Sequence, residues 1–189
     1  MNIKRYLIII GFFFSLQIYA QEDSSSYEVK SYSMDCEVKY YKIDSIEYAI
    51  FPKLSKYVMN DTYPQYTKSV PIAKVLQVDS LAFEFVKKQK YMPNQGFNGC
   101  PIIKENWRNY CRQVICYLDK KGKRKYDEII RIQYIHIERV KEFEKIYKLY
   151  GGFETNWKKQ WIYVNGGCSF IFHIFYDVKK GKIVDFIVN

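Results

Sequence analysis

The sequence has little of what enzymes most often use for proton transfer and metal binding. It holds only two histidines in 189 residues, His136 and His173, and both fall in apolar runs that we predict to be strands. Two imidazoles without a third ligand make a poor zinc site. Asp177 follows His173 by four residues, which on one strand is about 13 Å and too far for a hydrogen bond. We therefore predict no metal site and no histidine-based catalytic site.

Other catalytic signatures are also missing. Cys100 and Cys116 lack the local sequence of a thiol enzyme, and the acidic residues are scattered without a defensible pair. The pairs Gly151-Gly152 and Gly166-Gly167 are typical of turns and belong to no phosphate-binding motif. We predict no cofactor and no catalytic residue.

Arginine is scarce beside lysine. The chain has 6 Arg and 24 Lys, and with 20 acidic residues its formal net charge is +10. Sequence-specific nucleic-acid readers favour arginine for its planar, bidentate fork, so that class of partner is excluded. An acidic protein, an anionic envelope polymer and anionic lipid headgroups remain as partners, beside a surface that is merely solvated.

No apolar run reaches the roughly twenty residues of a membrane-spanning helix. The longest, residues 6–20, follows Lys4 and Arg5 and ends at Ala20, before a polar segment. This pattern predicts a signal peptide over residues 1–20, cleaved near Ala20. The mature protein is then periplasmic or secreted, with no transmembrane anchor after cleavage.

The five cysteines all follow the predicted cleavage site, and their odd number leaves at least one thiol outside intramolecular disulfides. Export makes disulfides plausible. On one extended strand Cys111 and Cys116 would lie about 16 Å apart, too far to bridge. Pairing of Cys36 or Cys168 with a cysteine from residues 100–116 stays open.

Residues 21–33 are polar and serine-rich and predict a flexible segment, so residues 34–189 form the single folded domain. In its first half, Asp44 and Ser45 are good N-cap residues before apolar residues spaced by four. The predicted elements are a strand over 34–43, a helix from 44 to about 59, a loop over 60–69, strands over 72–78 and 81–86, and irregular structure over 87–106.

The second half has clearer periodicity. Two strands, 112–118 and 129–137, flank a charged tip and predict a hairpin. An amphipathic helix follows over 138–150, and the remaining predicted strands are 160–164, 169–178 and 183–188. The predicted fold class is α+β, a mainly antiparallel β-sheet with one or two helices packed on one face.

Aromatic residues make up 19% of the chain, and several fall in or near predicted loops. Exposed tyrosine and tryptophan are frequent in recognition surfaces, although a Tyr- and Phe-rich core explains the same composition. A dense cationic cluster marks the hairpin tip and could bind a phosphate or sulfate polymer, or simply keep the hairpin solvated. The candidate binding residues are Trp107, Tyr110, Lys120, Lys121, Lys123, Arg124 and Lys125.

The C-terminal run from Trp161 to Lys180, with its glycine pair and aromatic strand, and the closing Asp185–Asn189 resemble the end of small exported proteins of Gram-negative gut-type bacteria. Asp44-Ser45-Ile46, at the start of the predicted helix, is similar to a second shared element. The resemblance implies a small secreted or periplasmic domain and brings no activity or catalytic residues.

Two function hypotheses follow from these observations. The first is an exported, non-enzymatic interaction module that binds a protein or an envelope polymer, such as an inhibitor or immunity protein. The alternative is an exported small hydrolase that acts on an envelope substrate, with a site in residues 87–116 or around His173.

Overall fold

The computed structural model describes most of the chain after the predicted signal peptide. Residues 1–20 and 21–29 lie outside the described part, so the predicted signal peptide and most of the predicted flexible segment do too. The described residues are 30–34, 36–52, 67–90, 92, 95–96, 99–121, 125–150, 156–159, 161–162 and 166–189. None of the helices in these ranges is long and apolar enough to cross a membrane.

In the described residues, eight strands form one sheet in which every pairing is antiparallel except that of β3 with β5. The order is β1-β2-β3-β5-β6-β7-β8, and the short β4 pairs with β5 beyond the end of β3. The elements are β1 (Lys30–Met34), β2 (Cys36–Ile43), β3 (Ile46–Phe51), β4 (Thr67–Lys68), α1 (Ile72–Lys88), β5 (Tyr110–Lys121), β6 (Lys125–His136), α2 (Ile137–Tyr150), β7 (Ile171–Asp177) and β8 (Lys182–Val188). The predicted α+β class with a mainly antiparallel sheet is confirmed.

Asp44 and Ser45 form the turn of a hairpin instead of the start of a helix. Both residues have positive φ, 47° and 70°, as a two-residue type I′ turn requires. Ile43 pairs with Ile46 across this turn. The predicted helix is therefore wrong over residues 46–51, which form β3. Apolar residues spaced by four also fit one face of a strand, because four is a multiple of the strand period of two.

A single helix, α1, replaces the two strands predicted over 72–78 and 81–86. Its buried residues follow one another at steps of one, three or four and lie on one face: Val75, Val78, Asp79, Ala82 and Val86. That spacing is the helical period. Valine and phenylalanine in this segment favour strands, and packing against the sheet overrides that preference.

The second half of the chain is close to the prediction. β5 and β6 form the predicted hairpin, in register from Tyr110–His136 to Lys121–Lys125. α2 begins one residue before the predicted helix, and β7 and β8 match the last two predicted strands within two residues. The strand predicted over 160–164 is not formed at Trp161 and Ile162, its described residues.

Both faces of the sheet are buried. On the α1 face, apolar residues of α1 pack on even-numbered residues of the central strands, such as Val114, Ile132 and Phe172. On the opposite face, odd-numbered residues contact Val140 of α2 and the segment 156–162, which contributes Trp157, Trp161 and Ile162. The prediction placed helices on one face of the sheet. In the structure α1 covers one face, and α2 with the segment 156–162 covers the other, so the sheet is the middle one of three layers.

A disulfide between Cys100 and Cys168 ties the irregular segment before β5 to the 3₁₀ turn before β7, with Cα atoms 6.2 Å apart. This pairing is one of those that the sequence left open. The described residues between 89 and 106 contain neither helix nor strand, as predicted. Closing a loop of 68 residues by a disulfide restricts the unfolded chain and contributes about 4 kcal/mol in the chain-entropy account.

Ser45→Gly is expected to raise the free energy of unfolding by about 0.5–1 kcal/mol, because glycine adopts positive φ without strain. Ser80→Gly, at an exposed position of α1, is expected to lower it by about 0.5 kcal/mol, since glycine weakens a helix. Urea unfolding of both variants beside the wild type measures the two effects. A loss of stability in Ser45→Gly would contradict the hairpin turn.

Candidate functional site

The Asp79 carboxylate, on the buried face of α1, is the centre of the most connected polar cluster of the interior. Its Oδ1 lies 3.3 Å from Nε of Arg112 in β5. The hydroxyls of Tyr48 in β3 and Tyr134 in β6 donate to its two oxygens at 2.9 and 2.8 Å. Arg112 is fully buried and Asp79 is 5% exposed. One helix and three strands therefore meet at a single carboxylate.

The remaining contacts of Arg112 are also internal. Its Nη1 donates to the carbonyl oxygen of Tyr110, and its Nη2 to that of Trp107 at 3.1 Å. Its guanidinium carbon lies 5.2–5.7 Å from the ring centroids of Tyr48, Trp107 and Tyr134, within cation–π range. A buried ion pair is stable only when such contacts satisfy both partners, and here they do.

The two tyrosines of this cluster are held in the protonated state. Burial, and next the Asp79 charge, raise the pKa of Tyr48 far above its usual value of about 10. The same two causes raise the pKa of Tyr134. Both hydroxyls therefore act as fixed hydrogen-bond donors and neither can serve as a base near neutral pH.

On the opposite face, two paired glutamines attach the segment 156–162 to the sheet. Gln133 donates through Nε2 to Oε1 of Gln113 at 3.1 Å and to the Ile162 carbonyl at 2.7 Å. Gln113 donates to the Trp157 carbonyl at 2.6 Å and accepts from the Ile162 amide at 2.9 Å. These bonds replace the strand pairing that was predicted for 160–164.

His173 lies beside this glutamine pair, next to Arg131. Its Nδ1 is 3.2 Å from Nη2 of Arg131, and because arginine only donates, Nδ1 must accept from it. Burial, and next the Arg131 charge, lower the pKa of His173 to about 3, against an opposing hydrogen bond with Asn189. The imidazole is therefore neutral at physiological pH.

Asp177 makes no hydrogen bond to His173, as the strand spacing predicted. Its Oδ1 accepts from the Lys180 amide at 2.8 Å, and its Oδ2 pairs with the Lys180 ammonium. These hydrogen bonds lower the pKa of Asp177. Asp177 therefore stabilises the turn between β7 and β8 and is not oriented toward a catalytic histidine.

The two described free thiols are poor nucleophiles. Burial raises the pKa of Cys111 to about 12, and burial together with the Glu128 charge raises the pKa of Cys116 to about 12. A reactive cysteine needs a lowered pKa. Cys100, which was considered for catalysis together with Cys116, is in the disulfide.

The prediction that Trp107 and Tyr110 present exposed aromatic rings is wrong. Trp107 is 6% exposed and Tyr110 is 1% exposed. The Trp107 ring packs 4.8 Å from the ring of Tyr134, and the Tyr110 hydroxyl donates to the Ser169 carbonyl. Both side chains are core residues, because the irregular segment before β5 folds under α1 instead of standing clear of it.

The cationic cluster lies at the opposite end of β5. Lys120, Lys121 and Lys125 are strand residues that flank the turn of the β5–β6 hairpin. Lys123 and Arg124 lie outside the described residues. The structure therefore separates the candidate binding residues into a buried aromatic pair and a lysine-bearing hairpin end.

Sequence reasoning missed the polar interior, above all Asp79, Arg112, Arg131 and the two glutamines. One signal was available: the strands RQVIC and RIQYIH place arginine and glutamine inside otherwise apolar runs. Such residues are rarely buried without partners. Their partners could not be identified, because each lies across the sheet or on a distant element.

No family model, characterised protein or solved structure was found to match the chain. Among the described residues, no group of three or more His, Cys, Asp or Glu side chains could hold a metal ion. The resemblance to small exported bacterial proteins stays a prediction, and Asp44-Ser45-Ile46 belongs to a hairpin turn instead of a helix start.

Asp79→Asn is expected to lower the free energy of unfolding by about 3–5 kcal/mol, because it leaves the Arg112 charge buried without its counter-ion. Urea unfolding at neutral pH measures the loss. Glu84→Gln is the matched control on the same helix: Glu84 pairs with Lys87 at the surface, and its loss is expected to be below about 1 kcal/mol. Equal effects of the two substitutions would contradict the structural role of Asp79.

Stability is expected to depend on pH through His173. Its folded pKa of about 3 lies below the unfolded value of about 6.5, so the unfolded state binds the proton first and stability falls as the pH falls below about 6.5. The unfolding free energy of the wild type, relative to His173→Gln, should therefore drop by about 1.4 kcal/mol per pH unit between pH 6 and 4.

Gln133→Met is the control for this measurement, since Gln133 pairs with His173 in the sheet and does not titrate. Its stability deficit should be the same at pH 6 and at pH 4. A wild type that shows no pH dependence beyond that of His173→Gln would mean that the imidazole is accessible to protons in the folded state.

Proposed function

We propose that the chain is an exported, non-enzymatic interaction module that binds a protein or an anionic envelope polymer. The inhibitor or immunity protein is one form of this function. The N-terminal signal pattern supports export to the periplasm or beyond, and the Cys100–Cys168 disulfide fits an oxidising compartment.

The observation that carries the proposal is that the described side chains with catalytic potential are buried in the interior of the protein. Among the described residues, Asp79, His173 and the free thiols of Cys111 and Cys116 are buried. The carboxylate has an arginine and two tyrosine hydroxyls as partners, and the imidazole has Arg131. Groups held in this way stabilise a scaffold and are closed to substrate.

The surface offers features suited to recognition. β8 is an edge strand of the described sheet, and Val184 and Ile187 on it are 42% and 43% exposed. Edge strands can pair with an extended segment of a partner. Lys179 and Lys182, at the turn between β7 and β8, are exposed and offer a second surface, which suits an acidic partner.

The exported small hydrolase remains the alternative, with His173 as its acid or base. General acid–base catalysis works best with a pKa near the operating pH, and a pKa of about 3 makes His173 a weak base at neutral pH. The side-chain partner of its Nδ1 is Arg131, which can serve neither as the carboxylate nor as the hydroxyl nucleophile of a catalytic triad.

Native, non-reducing mass spectrometry of the protein from its own envelope fraction tests the proposal. The expected mass begins at Gln21, includes the disulfide, and is accompanied by a bound protein or polymer component. The comparison is the same fraction from cells that carry a variant in which both proposed surfaces are altered. This variant carries Lys179→Gln, Lys182→Gln and the β8 substitution Ile187→Asp.

A companion that binds the wild type but not this variant is held by one or both of the two altered surfaces. The proposal would be contradicted by a bare monomer that degrades an envelope substrate, with activity lost in His173→Gln and retained in Gln133→Met. That combination would establish the hydrolase.

A further inference from the structure

His136, the last residue of β6, occupies the N-cap position of α2, which begins at Ile137. Its Nδ1 lies 3.4 Å from the backbone nitrogen of Glu138, the second residue of the helix. An N-cap side chain typically accepts a hydrogen bond from the amide of the second or third helical residue. Because the Glu138 amide can only donate, Nδ1 accepts and the proton of the neutral ring is on Nε2. The cap therefore requires a neutral imidazole.

The His136 ring is buried among aromatic side chains at this end of the sheet. The residue is 5% exposed, and the rings of Tyr110 and Phe170 pack edge-on against it at centroid distances of 5.0 and 5.5 Å. Its Nε2 has no hydrogen-bond partner within the described part of the chain. Such surroundings replace little of the hydration that a charged ring would lose, so the folded protein holds the ring in its neutral form.

Three elements surround this imidazole, and one of them presents a charge to it. The Glu138 carboxylate of α2 is exposed to solvent, with its Oε2 3.8 Å from Nδ1. β5 presents Tyr110, whose pKa burial raises so that its hydroxyl stays protonated, and the 3₁₀ turn before β7 presents the apolar Phe170. Burial lowers the pKa of His136, and the Glu138 charge opposes that lowering.

The start of α2 is attached to the sheet by few side chains. The structure describes the burial of residues 137–145 of this helix, and among them Val140 alone is buried. Val140 packs on the face of the sheet opposite α1. Helix ends with few buried apolar contacts open most easily. Loss of the cap would therefore act on the part of α2 that has little else to hold it.

We propose that protonation of His136 releases the first turn of α2, which makes this residue a pH-sensitive helix cap. A proton on Nδ1 converts the acceptor into a donor, which can no longer bind the Glu138 amide. It also places a positive charge at a helix N-terminus, where the helix dipole disfavours cations. The ring can instead pair with the Glu138 carboxylate, so the capping bond is exchanged for an ion pair.

The direction of the effect follows from the burial of the ring. The folded state binds the proton less tightly than the unfolded chain does, so release occurs as the pH falls below the ordinary histidine value of about 6.5. This inference does not depend on the proposed function, because it concerns the attachment of α2 and no partner.

An NMR titration of the oxidised protein between pH 8 and pH 4 tests the proposal. The chain has two histidines, so the His136 imidazole is assigned by comparison with His173→Gln. The amide shift of Glu138 is followed together with the imidazole. Hydrogen-exchange protection of the Glu138, Val140 and Lys141 amides is measured over the same range, corrected for the intrinsic exchange rate. The comparison variant is His136→Asn, since asparagine caps a helix and does not titrate.

The Glu138 amide and the His136 imidazole are expected to titrate with the same midpoint, below pH 6.5. Protection of the three amides in the wild type should fall about fivefold through this midpoint, as for the loss of one N-cap, and should not do so in His136→Asn. Glu138→Gln should lower the midpoint by about half a pH unit, because the carboxylate favours the charged ring. Glu142→Gln, which removes an exposed carboxylate one turn further along α2, should leave the midpoint unchanged.

Three results would overturn the proposal. The Glu138 amide could fail to follow the imidazole, protection could fall equally in His136→Asn, or the imidazole could stay neutral until the whole protein unfolds. If His136→Asn does not fold, the Glu138 amide of the wild type decides the question by itself.

Discussion

The buried ion pair between Asp79 and Arg112 is the interaction on which the rest of the architecture depends. It joins the only charged residue on the buried face of α1 to the middle of the sheet, at a parallel crossover where β3 and β5 become neighbours. A carboxylate in this environment cannot lose its partner without a large penalty. We infer that the pair fixes the position of α1 along the sheet, where apolar contacts alone would allow the helix to slide.

On the opposite face of the sheet, neutral amide side chains attach the covering segment. Gln113 and Gln133 hold the segment 156–162 by bonds to backbone carbonyls and an amide, and Arg131 packs between the rings of Trp161 and Phe175. On both faces, polar side chains from the central strands attach a covering layer. The polar interior is thus explained by architecture.

Sequence patterns predicted the parts of the fold that depend on local signals. The β5–β6 hairpin, α2 and the last two strands have unbroken periodicity and polar turns. The helix predicted from residue 44 was wrong because residues 46, 50 and 54 are spaced by four, which suits a helix and a strand alike. In residues 72–86, strand-forming side chains concealed a helical burial pattern that only packing reveals.

The candidate site was less predictable than the fold. Trp107 and Tyr110 were expected in an exposed loop, yet the loop is drawn inward by the disulfide at Cys100 and by the contacts of Trp107 with α1 and β6. The lysine cluster could be located on a hairpin tip, but its position relative to the β7–β8 turn depends on the pairing of β6 with β7, which α2 separates in the sequence.

Native-state hydrogen exchange resolved by residue tests the central claim that the Asp79–Arg112 pair fixes α1 to the sheet. The account predicts that amides of α1 around Val78 and Ala82 exchange only through global unfolding, with the same free energy as amides of β5 and β6. Exchange of α1 through a separate opening of much lower free energy would contradict it, since the helix would then leave the sheet while Arg112 stayed buried.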